Sequence, residues 1–132
     1  MTPGHTTTPL AQTLGYKPGM RAFIADMPED VRAAIGLDSL GLELLAAPST
    51  GIDAAHIFVT SRERLDCQLN ALRQLIAPGG FIWVSWPEDG DGDVSKDATL
   101  EIAALAGLSE VKSCPIGESW SALKLMVGKE LR

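Results

Sequence analysis

Residues 75–87 read Leu75-Ile76-Ala77-Pro78-Gly79-Gly80-Phe81-Ile82-Trp83-Val84-Ser85-Trp86-Pro87, and this stretch decides the fold. A helix closes, the chain turns through Pro-Gly-Gly, and the strand that follows is apolar on both faces. A strand without a polar face must be covered on both sides, which is the signature of a parallel sheet flanked by helices. The residues before it agree. Leu65, Leu69, Leu72, Leu75 and Ile76 form one apolar stripe at helical spacing. Thr60 and Glu63 stand at the spacing of a capping box that would open this helix.

Working outward, the strand–helix alternation continues. Residues 20–26 and 55–60 read as strands, and 42–46 as a short strand between them. Pro28-Glu29-Asp30 opens a helix, because proline suits a first turn and acids suit the positive end of a helix dipole. Val31, Ala34 and Ile35 give it an apolar face, and Gly36 ends it. At the N-terminus Thr8 caps a short helix from Pro9 that Gly15 stops. Ser95 caps a helix through Ala106, stopped by Gly107. Residues 111–116 and 120–127 read as two closing strands, an antiparallel pair at one sheet edge. The whole is one α/β domain over 9–132, a doubly wound, mostly parallel, Rossmann-like sheet, preceded by a flexible tail at 1–8. In such sheets ligands sit beyond the carboxyl ends of the strands where strand order reverses. Here that means the loops after Asp26 and Thr60, with Trp86 and Pro87 nearby.

The chain carries a net charge of −6, and no run of Lys and Arg interrupts it. Nucleic-acid binding needs a basic footprint, so neither nucleic acid nor an anionic membrane surface is an expected partner. Cys67 and Cys114 stand in no metal-like spacing and read as the inert thiols of a reduced, cytoplasmic protein. The tail at 1–8 lacks the apolar core of a secretory signal, and no segment reaches the length of a membrane span.

Several constellations suggest chemistry and then fail. Asp89-Gly90-Asp91-Gly92-Asp93 opens like a calcium loop, yet Val94 and Leu100 occupy the positions that need glycine and a bidentate glutamate. The acidic loop at 88–93 therefore reads as a solvated loop. Neither His5 nor His56 has a partner at metal spacing, and His56 reads as a hydrogen-bonded histidine of a buried strand. Ser85, Ser119 and Ser121 lack the context of an activated nucleophile.

Lys17-Pro18-Gly19-Met20-Arg21, Asp53 to Phe58, the Leu-x-Pro-Gly-Gly segment ending at Trp86 and the late strand carrying Trp120 occur in the order of one known fold. By these segments the chain resembles the S-adenosylmethionine-dependent methyltransferases in reduced form. Within that fold, Thr8-Pro9-Leu10, residues 17–21, residues 78–87 and Trp120-Ser121-Ala122-Leu123-Lys124 resemble an uncharacterised family of short bacterial proteins. The methyltransferase resemblance implies a glycine-rich turn after the first strand, where backbone approaches the cofactor. This chain has Ala25-Asp26-Met27-Pro28-Glu29-Asp30 instead. The second strand ends Leu45-Ala46-Ala47-Pro48, with no acid for ribose hydroxyls. No cofactor is therefore expected, with S-adenosylmethionine as the alternative.

One candidate pocket remains, formed by Asp26, Thr60, Ser85, Trp86, Trp120 and Lys124. Trp86 ends a central strand, and Lys124 shares a strand face with Trp120, Ala122 and Met126. A lysine among apolar neighbours calls for a partner, either Trp120 beneath it or Glu118. The expected function is a non-catalytic, methyltransferase-like domain that binds a protein or a small metabolite. A divergent methyltransferase and an oligomerisation module, with a homodimer through the exposed edge, are the alternatives.

Overall fold

The computed structural model describes residues 9–87, 94–116 and 120–127. The tail with His5 and Thr8, the acidic loop at 88–93, and Glu118 and Ser119 lie outside the described residues. The elements run α1 (Pro9–Leu14), β1 (Arg21–Ala25), α2 (Glu29–Ile35), a 3-10 turn (Leu37–Ser39), β2 (Glu43–Leu45), β3 (Ile52–Phe58), α3 (Arg62–Leu72), β4 (Ile76–Pro87), α4 (Lys96–Leu105), β5 (Leu108–Ile116) and β6 (Trp120–Val127). The strands form one sheet in the order β2-β1-β3-β4-β6-β5. The pairs β1–β2, β1–β3 and β3–β4 are parallel, and β6 runs antiparallel to both β4 and β5. The doubly wound α/β sheet with an antiparallel pair at one edge is thus present. Strand order reverses between β1 and β3, as the alternation of elements implies.

Two apolar layers cover the sheet. On one face Ile57, Val84, Leu123 and Leu125 pack with Leu65, Leu69 and Leu72 of α3 and Ile102 of α4. On the other face Phe58, Phe81 and Trp83 pack with Leu14 of α1 and with Val31 and Ile35 of α2. The apolar doubling of 81–86 is the cause: Ile82, Val84 and Trp86 face one layer, and Phe81, Trp83 and Ser85 the other.

Local readings shift where neighbouring residues compete. Ser61, not Thr60, caps α3, and its hydroxyl accepts from the Arg64 amide at 3.2 Å. The capping-box spacing was therefore one residue early. Leu75 and Ile76 lie beyond α3, with Ile76 already in β4, because the helix stops at Leu72. Ala34 is exposed, and Leu37 and Leu40 complete that face instead. β3 starts at Ile52 and β5 at Leu108, both earlier than the apolar pattern marks.

The Pro-Gly-Gly turn is embedded in β4 rather than preceding it. Ile52 pairs with Ile76 and Ala54 with Phe81, so residues 77–80 bulge out opposite Asp53 alone. Gly79 has φ +85°. A Cβ on Gly80 would stand 2.9 Å from the Asp53 carbonyl oxygen and 2.9 Å from the Ile76 side chain. The two adjacent glycines are thus needed for different reasons. Gly79→Ala pays a left-handed backbone, about 1 kcal/mol, and Gly79→Asn recovers part of it because asparagine tolerates that region. Gly80→Ala meets backbone and costs about 1–3 kcal/mol, with no recovery in Gly80→Asn. Urea unfolding of the four variants separates the two mechanisms.

Candidate functional site

The carboxyl ends of β1 and β3 form the floor of a cleft of about 330 Å³. Asp26, Phe58, Thr60, Ser61, Arg64 and Trp120 line it. Asp26 follows β1 directly and is the single non-glycine among the described residues with positive φ, at +60°. Aspartate is one of the few side chains that visits this region readily, and such positions cluster at functional sites. Its Oδ2 lies 3.1 Å from Nη2 of Arg64, which projects from the first turn of α3. Both side chains are 58% exposed, so the ion pair contributes at most about 1 kcal/mol and opens cheaply. Phe58 and Trp120 meet edge to face at the other wall, ring centroids 4.9 Å apart.

Of the candidate pocket residues, Asp26, Thr60 and Trp120 line this cleft. The other three stand elsewhere. Ser85 is fully buried on the same sheet face. Trp86, 7% exposed, packs into the opposite face, because it is one residue out of phase with Ser85. It edges a second hollow of about 450 Å³ with Lys96, Ser113 and Ser121. Lys124 lies over the Phe81 ring, 4.3 Å from its centroid, rather than over Trp120. Phe58, Val59, Ser61 and Arg64 are the cleft residues that the sequence pattern does not single out. Arg64 reaches the cleft through its pair with Asp26, 38 positions away, which no local pattern marks.

Beneath the cleft runs a buried polar chain. The Tyr16 hydroxyl is 2.8 Å from His56 Nδ1, and His56 Nε2 is 2.7 Å from Ser85 Oγ. A serine beside an imidazole is the first requirement of nucleophilic catalysis. Here both are fully buried, so no substrate reaches the hydroxyl. Burial holds the His56 imidazole neutral, its pKa pushed down to about 3, and raises the Tyr16 phenol above its ordinary value. The chain is structural, as expected for His56. Among the described residues no group of three His, Cys, Asp or Glu could hold a metal, and no helix is long and apolar enough to cross a membrane. Both cysteines are free thiols, Cys67 exposed and Cys114 half-buried.

The chain belongs to a family described as a protein of unknown function, DUF3052, whose model matches residues 11–129. No curated protein matches it. Among solved structures it is similar to the magnesium protoporphyrin IX methyltransferase ChlM from Synechocystis with bound SAM, at TM-score 0.63 and 10% identity over 90% of this chain and 76% of that one. It is also similar to a TehB-like SAM-dependent methyltransferase from Corynebacterium glutamicum, at TM-score 0.59 and 10% identity over 89% and 85% of the two chains. A SAM-dependent methyltransferase from Aquifex aeolicus gives TM-score 0.58 and 14% identity over 89% and 87%. At these identities the likeness shows the fold, a methyltransferase-like architecture.

The buried imidazole makes stability depend on pH. Its pKa is lower folded than unfolded, so protons bind the unfolded chain preferentially. The contribution of neutral His56 is complete above the unfolded pKa near 6.5 and is lost as pH falls toward 3. Between pH 7 and pH 5 this amounts to about 2 kcal/mol. Urea unfolding at both pH values should show this loss in the parent chain. His56→Gln, which titrates at neither, should be less stable at pH 7 and show a pH dependence smaller by that amount.

Proposed function

We propose that this chain, a DUF3052 member on a methyltransferase-like fold, is a non-catalytic domain that binds a small metabolite in the cleft of Asp26, Arg64 and Trp120. One observation carries the reading. Opposite charges face each other across the strand-order reversal, beside an aromatic wall, in a pair weak enough for a ligand to replace. A ligand with a positive and a negative group gains both partners, and an apolar or aromatic body gains the face of Trp120. The residues lining the cleft offer no activated nucleophile, and the buried histidine cannot act as a base there.

The residues fit S-adenosylmethionine poorly. The turn at 26–28 bears the Asp26 side chain, tied to Arg64, where bare glycine backbone would have to admit a cofactor. β2 ends at Leu45, and the exposed Ala46 and Ala47 that follow supply no carboxylate for a ribose. A divergent methyltransferase stays the second reading, favoured by the fold of the neighbours alone. A homodimer through β5 is the weaker alternative, since a bulge at Val111, the charge of Lys112 and Pro115 all obstruct strand addition at that edge.

A thermal-shift screen with amino acids, nucleosides, S-adenosylmethionine and S-adenosylhomocysteine tests the proposal. At least one small zwitterion or nucleoside should raise the midpoint, by the equivalent of about 2.7 kcal/mol at a hundredfold excess over its Kd. The shift should vanish in Trp120→Ala and in Asp26→Asn, both still folded by circular dichroism. A shift confined to the adenosyl compounds, with methyl transfer to any acceptor, would overturn the non-catalytic reading in favour of the second. A screen that is flat throughout would overturn small-molecule binding in the cleft.

A further inference from the structure

The cations of this chain are segregated. Arg21, Arg32, Arg62, Arg64 and Lys96 each pair with a carboxylate. Arg73 donates to the Ala106 carbonyl. Among the described residues no ion pair links Lys17, Lys112 or Lys124 to a carboxylate; Lys112 and Lys124 are strand partners, and Lys17 is near enough for its charge to act on Lys124. Lys112 on β5 stands directly opposite Lys124 on β6. The Lys124 ammonium lies over Phe81 and against Gly15, where a Cβ would be 3.5 Å from Nζ. Lys17 follows Gly15 and Tyr16 in the connection out of α1. Burial and the charges of Lys112 and Lys17 all push the Lys124 pKa below its ordinary value.

Like charges facing across a strand pair destabilise the sheet, and so does partial desolvation of one of them. A chain with 17 acidic residues against 11 basic ones has acids to spare for this position. The surroundings are instead apolar: Tyr16, Phe81, Cys114 and Met126. The sequence shows no basic run because the three lysines come from three distant segments that the sheet assembles.

We propose that Lys17, Lys112 and Lys124 form a binding site for a small multivalent anion, such as a phosphoryl group or a di- or tricarboxylate. Such an anion accepts charge-assisted hydrogen bonds from several ammonium groups and cancels their repulsion. The apolar floor strengthens each contact by excluding water from one side. None of the three lysines lines the Asp26–Arg64 cleft, so the site stands independently of the function proposed above.

Isothermal titration with inorganic pyrophosphate and with citrate tests it. One or both should bind saturably with a single site at about millimolar concentration or below. Preference for pyrophosphate identifies a phosphoryl ligand, and preference for citrate a carboxylate one. Lys112→Met and Lys124→Met should each weaken binding at least tenfold, which is about 1.4 kcal/mol. Both should melt no lower than the parent without anion, since each removes a repulsion, so loss of binding is not loss of fold. Arg73→Met removes an equal charge elsewhere and should leave binding unchanged. No saturable binding of either probe would overturn the proposal, and so would equal weakening in Arg73→Met, which would mark long-range charge alone.

Discussion

The structure depends on keeping one imidazole dry. His56 sits in the middle of β3 with no exposed surface. A buried polar group without a hydrogen bond costs several kcal/mol, so both ring nitrogens need partners. Tyr16 supplies one from the connection after α1, and Ser85 the other from β4. The Trp83 indole, two residues before Ser85, donates to the Leu14 carbonyl at 2.7 Å and holds the end of α1 against the same patch. Satisfying the histidine therefore fixes where the N-terminal helix leaves the sheet. Among the described residues no buried side-chain polar atom lacks a partner, so the layer tolerates its polar centre.

That constraint also separates the residues of the candidate pocket. A strand sends alternate side chains to opposite faces. Once Ser85 is committed to His56, Trp86 must enter the α3–α4 layer and leave the cleft to Trp120. Lys124 is on the same face as Trp120, but Ala122 stands between them along that face, and the ammonium lies over Phe81 instead. A pocket assembled from nearness to strand ends alone thus brings together three of six residues.

The architecture was legible because the decisive patterns are long. The doubly apolar strand at 81–86, the Ser95 cap and the last strand lie where the sequence places them, as do Leu65, Leu69 and Leu72 of the α3 stripe, while Leu75 and Ile76 fall beyond the helix and β5 starts three residues early. What was not legible turns on single-residue choices or on distant pairing. Thr60 and Ser61 are equally good caps in isolation, and the fold selects Ser61. The Pro-Gly-Gly segment reads as a turn, and only pairing of Ile76 with Ile52 makes it a bulge. The Asp26–Arg64 pair joins residues 38 positions apart, and Lys17 lies far in sequence from Lys112 and Lys124, so no local pattern encodes either meeting. Asp26 was visible as a residue of the cleft because its place after β1 is set by topology.

This methyltransferase-like fold has a cleft at the switch point without a glycine turn after β1, and the reason lies in what builds the walls. The β1 turn contributes one side chain, Asp26. The remaining walls come from the β3–α3 junction and the start of β6. Those segments are anchored by layers that owe nothing to a cofactor: Leu65 and Leu69 beneath α3, Phe58 against Trp120, and the His56 chain below. The Asp26-Met27-Pro28 turn puts Asp26 at the opening, while the frame that holds the cleft open is built from other segments. The frame and the turn are therefore built from separate segments, and the polar and aromatic groups that face the opening at this end of the sheet include Asp26, Arg64 and Trp120.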